Sequence, residues 1–109
     1  MFDETDVLRR GLSLLEKKEH AMAIEAFTEA IRLNPKYTEA YFARGNVLET
    51  QGRHDDAIAD YSAVLEYHPN EPAAYYNRGA ARGLRGDRAG ALADYTEAIR
   101  LNPKYAKAY

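Results

Sequence analysis

The chain has three histidines, His20, His54 and His68, and metal or acid–base chemistry would have to be built from them. His20 and His54 lie 34 residues apart, and His68 stands directly before Pro69. Two imidazoles on one helical face need a His-x-x-x-His spacing to share an ion, and no such pair exists. Cysteine is absent, which excludes disulfides, thiolate nucleophiles and thiolate zinc ligands together. Asp55, Asp56 and Asp60 form the densest acidic group. Asp55 and Asp56 fall in what reads as the first turn of a helix, where the macrodipole favours negative charge. General acid–base work would need a carboxylate with a perturbed environment in a cleft. These carboxylates, like the histidines, read as solvated groups. There is no glycine-rich phosphate loop, nucleophile elbow or Ser/His/Asp set. The expectation is a non-enzyme with no catalytic, cofactor-binding or metal-binding residue.

Composition narrows the partners. Lysine and arginine number 15 against 17 acidic residues, for a net charge of -2. A nucleic-acid binder shows a clustered basic surplus, and none is present, so no nucleic-acid partner is expected. No apolar run approaches the roughly 18 residues that span a bilayer, so no membrane partner is expected either. The first residues, Met1-Phe2-Asp3-Glu4-Thr5-Asp6, are acidic where a secretory signal is basic and then apolar. With the lack of cysteine, this makes the cytoplasm the expected location.

The elements that would position any site follow from an internal repeat. Gly11, Gly45 and Gly79 are spaced by 34 residues, and Pro35, Pro69 and Pro103 keep the same step. Ala23, Ala57 and Ala91 do so too, as do the aromatics Phe27, Tyr61 and Tyr95 and the small residues Ala30, Val64 and Ala98. A fixed period of this length is the signature of a solenoid. Each copy reads as two helices. In the second copy Tyr41, Gly45 and Leu48 make one 3.6-residue stripe, and Ala57, Ile58, Tyr61, Val64 and Leu65 make another. Gln51-Gly52-Arg53 breaks the first helix and His68-Pro69-Asn70 stops the second. Helices are predicted at about 39–51 and 54–67, with counterparts at about 4–17, 20–33, 73–85 and 88–101. No segment alternates with period two, so no strands are predicted. Gly45, with Ala57 and Val64 as its expected partners, lets the two helices of a copy approach closely. A unit this small buries its apolar face only by stacking on neighbours.

These columns resemble the tetratricopeptide repeat over nearly the whole chain. Tyr41 and Tyr75, the three glycines, the alanine column, the aromatics Phe27, Tyr61 and Tyr95, and the prolines all stand where that family keeps them. The resemblance implies an all-α, right-handed superhelical solenoid in one domain, residues 1–109. Its repeats are expected at about 4–37, 38–71 and 72–105, with the start of a fourth at 106–109. Val7 departs from the aromatic column, Arg82 from an apolar column, and Lys18 stands where Gly52 and Gly86 stand. If its turn is left-handed, Lys18 costs about 1 kcal/mol. Tyr41, Tyr61, Tyr75, Tyr95 and Tyr109 are expected in the core.

Phe42 and Tyr76 each follow a column aromatic by one residue, which turns them about 100° around the helix and off the packing stripe. In the family that direction is the concave groove. Carried over by register, the groove residues are Leu8, Leu12, Glu39, Phe42, Asn46, Glu49, Ala73, Tyr76, Asn77, Ala80 and Lys107. The strip is apolar and aromatic, as binding surfaces are. Asn46 and Asn77 could each pair with both the N–H and the C=O of an extended backbone. The resemblance therefore implies a scaffold that binds a protein or peptide ligand in its concave face. Co-chaperones of the family clamp a terminal carboxylate, and Asn46, Asn77 and Lys107 match that pattern. Phe42, however, stands where the clamp's first lysine belongs. The alternative is structural self-assembly: helix 88–101 carries Leu92, Tyr95, Ala98, Ile99 and Leu101, and a homo-oligomer formed through this C-terminal repeat would cover them.

Overall fold

The computed structural model describes residues 3–108, without the side chains of the last two. Six α-helices follow one another: α1 (Glu4–Glu16), α2 (His20–Leu33), α3 (Thr38–Thr50), α4 (His54–Tyr67), α5 (Pro72–Arg85) and α6 (Arg88–Leu101). A short 3-10 helix, Pro103–Ala108, comes last. No strand occurs among the described residues. Every helix begins and ends within one residue of its expected limits, and glycine, proline or asparagine marks the ends of the last five helices.

The starts of α1, α5 and α6 are capped by a side chain. Asp3 accepts from the Asp6 N–H at 3.0 Å while the Asp6 carboxylate accepts from the Asp3 N–H, a reciprocal capping box. Asp87 caps α6 by accepting from the Gly90 N–H at 2.9 Å. Three turns join the helices of each pair, and all three pass through the left-handed region, at Lys18 (φ 60°), Gly52 (φ 77°) and Gly86 (φ 98°). Lys18 therefore bears the left-handed strain that glycine escapes.

Short turns make each pair antiparallel, and α1–α2, α3–α4 and α5–α6 stack in sequence into a body 43 × 25 × 21 Å. The core follows the stacking, in three clusters. Leu8, Ala23, Phe27, Ala30, Ala40 and Val47 join the first pair to the second. Leu48, Ala57, Tyr61 and Ala81 form the middle cluster, and Val64, Leu65 and Ala74 join the second pair to the third.

The close approach at the glycine column is made against different residues from those expected. A Cβ on Gly45 would lie 2.9 Å from the Tyr61 ring and 3.2 Å from the Asp60 Cβ, so these make the closest approach. Val64 instead packs across the joint against Ala74, with Tyr41, Phe42 and Tyr75 alongside. Of the aromatic columns, Phe27 and Tyr61 are fully buried. Tyr41, Tyr75 and Tyr95 are half-buried, with the Tyr41 hydroxyl donating to the Pro35 carbonyl, and Tyr109 lies outside the described residues. These hydroxyl-bearing rings sit at the edges of the joints, where the polar end reaches a partner or water.

Asp60 is not a solvated carboxylate. It is 4% exposed and takes a bidentate pair of bonds from Arg44, at 2.8 and 2.7 Å. One repeat later Asp94 is 3% exposed and takes the same fork from Arg78, at 2.9 and 2.8 Å. Each arginine also donates to a hydroxyl on the preceding pair, Arg44 to Thr28 and Arg78 to Ser62, both at 3.1 Å. Arg82 reaches Asp94 as well, at 2.8 Å, which explains a cation in an otherwise apolar column.

Candidate functional site

The first helices of the three pairs line one face, and between them lies a hollow of about 540 Å³. Leu8 and Leu12 come from α1, and Glu39, Phe42, Ala43 and Asn46 from α3. They sit three or four residues apart, so each pair shares a helical face. Ala73 enters from the start of α5, and Val64, His68, Glu71 and Thr38 complete the wall. Leu12 is 44% exposed there, an apolar side chain held open to solvent.

The residues placed by register part into two sets. Leu8, Leu12, Glu39, Phe42, Asn46 and Ala73 meet around the hollow. Glu49, Tyr76, Asn77 and Ala80 are not on its wall. Glu49 is occupied by His54, whose Nδ1 lies 2.8 Å from its carboxylate. Tyr76 is stacked between two rings, with centroids 5.4 Å from Tyr95 and 5.3 Å from Tyr105. The 3-10 helix that carries Tyr105 thus folds over this end of the face. The Lys107 side chain lies outside the described residues. Thr38, Val64, His68 and Glu71 were missed because they lie off the register of the first helices. Only the proximity of Glu71 and His68 to the α4–α5 turn could have signalled them.

Phe42 does two jobs. It walls the hollow, but it is half-buried, with its ring 5.8 Å from Tyr61 in an edge-to-face contact and its body against Val64, Leu65 and Ala74. The rotation off the packing stripe is real but too small to clear α4 of its own pair and α5 of the next.

Asn46 is likewise less free than its type suggests. Its side-chain carbonyl accepts from the Tyr61 hydroxyl at 2.7 Å and from the Asn77 amide at 3.1 Å. The acceptor is therefore spoken for, and what Asn46 can offer a ligand is its NH₂. Burial, with the Glu49 and Asp60 carboxylates nearby, pushes the Tyr61 phenol far above its usual range, so it stays a protonated donor.

The three histidines come to nothing that could hold a metal, and no group of three or more His, Asp or Glu side chains is gathered for one among the described residues. His20 is half-buried with its Nδ1 lacking a hydrogen-bond partner, His54 pairs with Glu49, and His68 is exposed at the rim of the hollow. No helix among the described residues is long and apolar enough to cross a membrane.

A family profile described as "Tetratricopeptide repeat" matches residues 8–65 and again 42–106. No curated protein sequence matches. Among solved structures, YrrB, described as "a TPR protein with an unusual peptide-binding site", superposes with a TM-score of 0.89 at 28% identity over 100% of this chain and 59% of its own. MamA superposes at 0.90 with 30% identity, over 96% of this chain and 61% of its own. The first TPR of Spaghetti (RPAP3), solved bound to an HSP90 peptide, reaches 0.89 at 19% identity over 97% and 92%, a likeness of fold alone. The chain thus spans about three fifths of the YrrB and MamA chains. With the repeat profile matched twice across its length and the helix pairs stacked as in these structures, this chain belongs to the tetratricopeptide-repeat family.

Proposed function

We propose that the chain is an interaction scaffold that holds an extended peptide, or an extended segment of a partner protein, in the hollow between α1, α3 and α5. The observation that carries this reading is the wall itself: exposed Leu12 and half-buried Phe42 stand over a floor of buried Leu8 and Val64, with Asn46 beside them, its side-chain carbonyl held by Tyr61. Apolar side chains of a ligand supply affinity by burial there, and Asn46 fixes a backbone carbonyl. YrrB, of the same fold, is described as peptide-binding, which agrees with this use of the face. The carboxylate clamp fits poorly, because Phe42 replaces its first lysine.

The test is selection of binders from a random peptide library against the whole chain, followed by titration of Leu12→Asn. Leu12 is exposed, so its exchange leaves the fold intact, and we expect affinity to fall about tenfold, the worth of one lost apolar contact. Selected peptides that bind Leu12→Asn as well as the parent sink the reading. Self-association is a second reading, favoured by Leu92 on α6, which is 59% exposed. A monomer at high micromolar concentration by light scattering rules it out.

A further inference from the structure

The polar part of the hollow is acidic, and it lies along one edge. Glu39 stands in the first turn of α3 and Glu71 is the N-cap of α5, and both are on the wall. The first helices of successive stacked pairs run in the same direction, so the two N-termini share that edge. A helix N-terminus attracts anions, and a groove for an anionic ligand leaves its N–H groups and its dipole to the ligand. Here the protein has filled them itself. The Glu71 carboxylate accepts from the Ala73 N–H at 3.4 Å, and Glu39 supplies negative charge at α3.

No lysine or arginine answers these charges on the wall among the described side chains. Arg44 and Arg78 are committed to Asp60 and Asp94. Arg9 of α1 is 76% exposed and lies 3.9 Å from Asp6, off the wall. The remaining titratable group of the lining is His68. An acidic segment entering the hollow would meet carboxylates with no compensating cation, which disfavours it and lowers its on-rate. A lysine or arginine can instead lie with its methylene stem along Leu12 and Phe42 and its charged end at the acidic edge.

We infer that the occupant of the hollow is an extended peptide segment carrying a large apolar side chain with a lysine or arginine within a few residues of it. This rests on the groove reading above and adds the sign of the charge. The same library selection, with the chosen peptides resynthesised with blocked termini, tests it. The peptides are expected to be enriched in lysine and arginine beside an apolar residue and depleted in Asp and Glu. Glu39→Gln and Glu71→Gln should each weaken them by roughly threefold to fivefold, the worth of one exposed charge pair. Glutamine at 71 keeps an acceptor for the Ala73 N–H, and thermal melts of both variants check that the fold is intact. Peptides that need Leu12 but are neutral or acidic, or that ignore both Glu→Gln changes, overturn the inference and leave the groove reading standing. Peptides indifferent to Leu12→Asn overturn the groove reading itself, and this one with it.

Discussion

The second and third helix pairs are each crossed by a buried arginine–aspartate strut, and the first pair has none. Arg10, Arg44 and Arg78 share a register, but Asp60 and Asp94 are answered in the first pair by Ala26. Arg10 is accordingly exposed. The aromatic column differs in step. Tyr61 sends its hydroxyl to Asn46, whereas the first pair has Phe27 with Leu12 in the Asn46 register, so neither a hydroxyl nor an amide is present. One repeat shape is thus held together in two ways, by apolar packing alone or by packing with a satisfied polar network. The first pair shows that the helix hairpin does not need the charges. The struts belong to the joints, since Arg44 and Arg78 each reach back to a hydroxyl on the second helix of the preceding pair.

The comparison breaks most sharply at the struts. Asp60→Ala leaves Arg44 largely buried beside an apolar methyl, and Asp94→Ala strands both Arg78 and Arg82. We expect a loss of about 3–5 kcal/mol for each in denaturant melts. Arg10→Ala should change stability by less than about 0.5 kcal/mol, as an exposed residue without a buried partner. Equal losses at Arg10 and Asp60 would show that the first pair is not the apolar variant described.

The glycine column gives the next effect, with the order reversed. A Cβ at Gly11 would stand 2.5 Å from the Phe27 ring, whereas at Gly79 it would stand 3.0 Å from the Tyr95 ring. Phe27 is fully buried and cannot yield, while Tyr95 is half-buried and can tilt. Gly11→Ala is expected to cost about 2–3 kcal/mol from overpacking, and Gly79→Ala about 1 kcal/mol or less. A melt in which Gly79→Ala is the more damaging would reverse the ranking of the two interfaces.

Tyr61→Phe makes the second pair resemble the first at one atom. The expected loss is about 1 kcal/mol, one hydrogen bond whose acceptor keeps a second donor in Asn77. The pH profile sharpens this. Burial raises the Tyr61 pKa in the folded chain above its ordinary value near 10. The unfolded chain therefore gives up its proton first, and the folded state is favoured fully below about pH 10 and progressively less above it. The slope is about 1.4 kcal/mol per pH unit for this one proton. Stability of Tyr61→Phe measured from pH 9 to 11 should fall less steeply than that of the parent by that amount. Parallel curves would refute the assignment of the titration to Tyr61.

The smallest effect is at the turns. Lys18→Gly should stabilise the first pair by up to about 1 kcal/mol, because the turn already adopts the left-handed backbone that glycine tolerates. No gain would mean that the Lys18 side chain offsets its own strain.

The helices and their order were legible because the punctuation is local: Pro35, Pro69, Gly52 and Gly86 each announce an end within a residue or two. The struts were not. Arg44 and Asp60 lie 16 residues apart on different helices, as do Arg78 and Asp94, and no local pattern links them. A signal did exist, since Arg10, Arg44 and Arg78 keep the 34-residue period, as do Asp60 and Asp94. Asp60 instead reads with its neighbours Asp55 and Asp56 as one surface cluster, although it faces inward from them. The lining of the hollow was legible in register along α1 and α3. The register failed at Tyr76, because the ring of Tyr105, from the chain beyond α6, lies against it; Tyr37, in the same register of the first copy, packs against the cluster of Leu8 in the same way. Phe42 shows the limit of rotation arguments: being off one helix's stripe says nothing of how far the partner helix of its own pair, or the next pair, leans in.

The fixed amide of Asn46 bears on recognition through entropy. A surface asparagine samples several rotamers and both amide orientations, and capturing a ligand carbonyl would freeze them at a cost of about 0.5–1.5 kcal/mol. Here the Tyr61 hydroxyl and the Asn77 amide have already frozen them during folding. On the groove reading proposed above, the amide's orientation is decided before any peptide arrives, and a residue that does not touch the ligand would set part of its affinity. Tyr61, sealed in the core, would on that reading belong to the recognition surface in this thermodynamic sense.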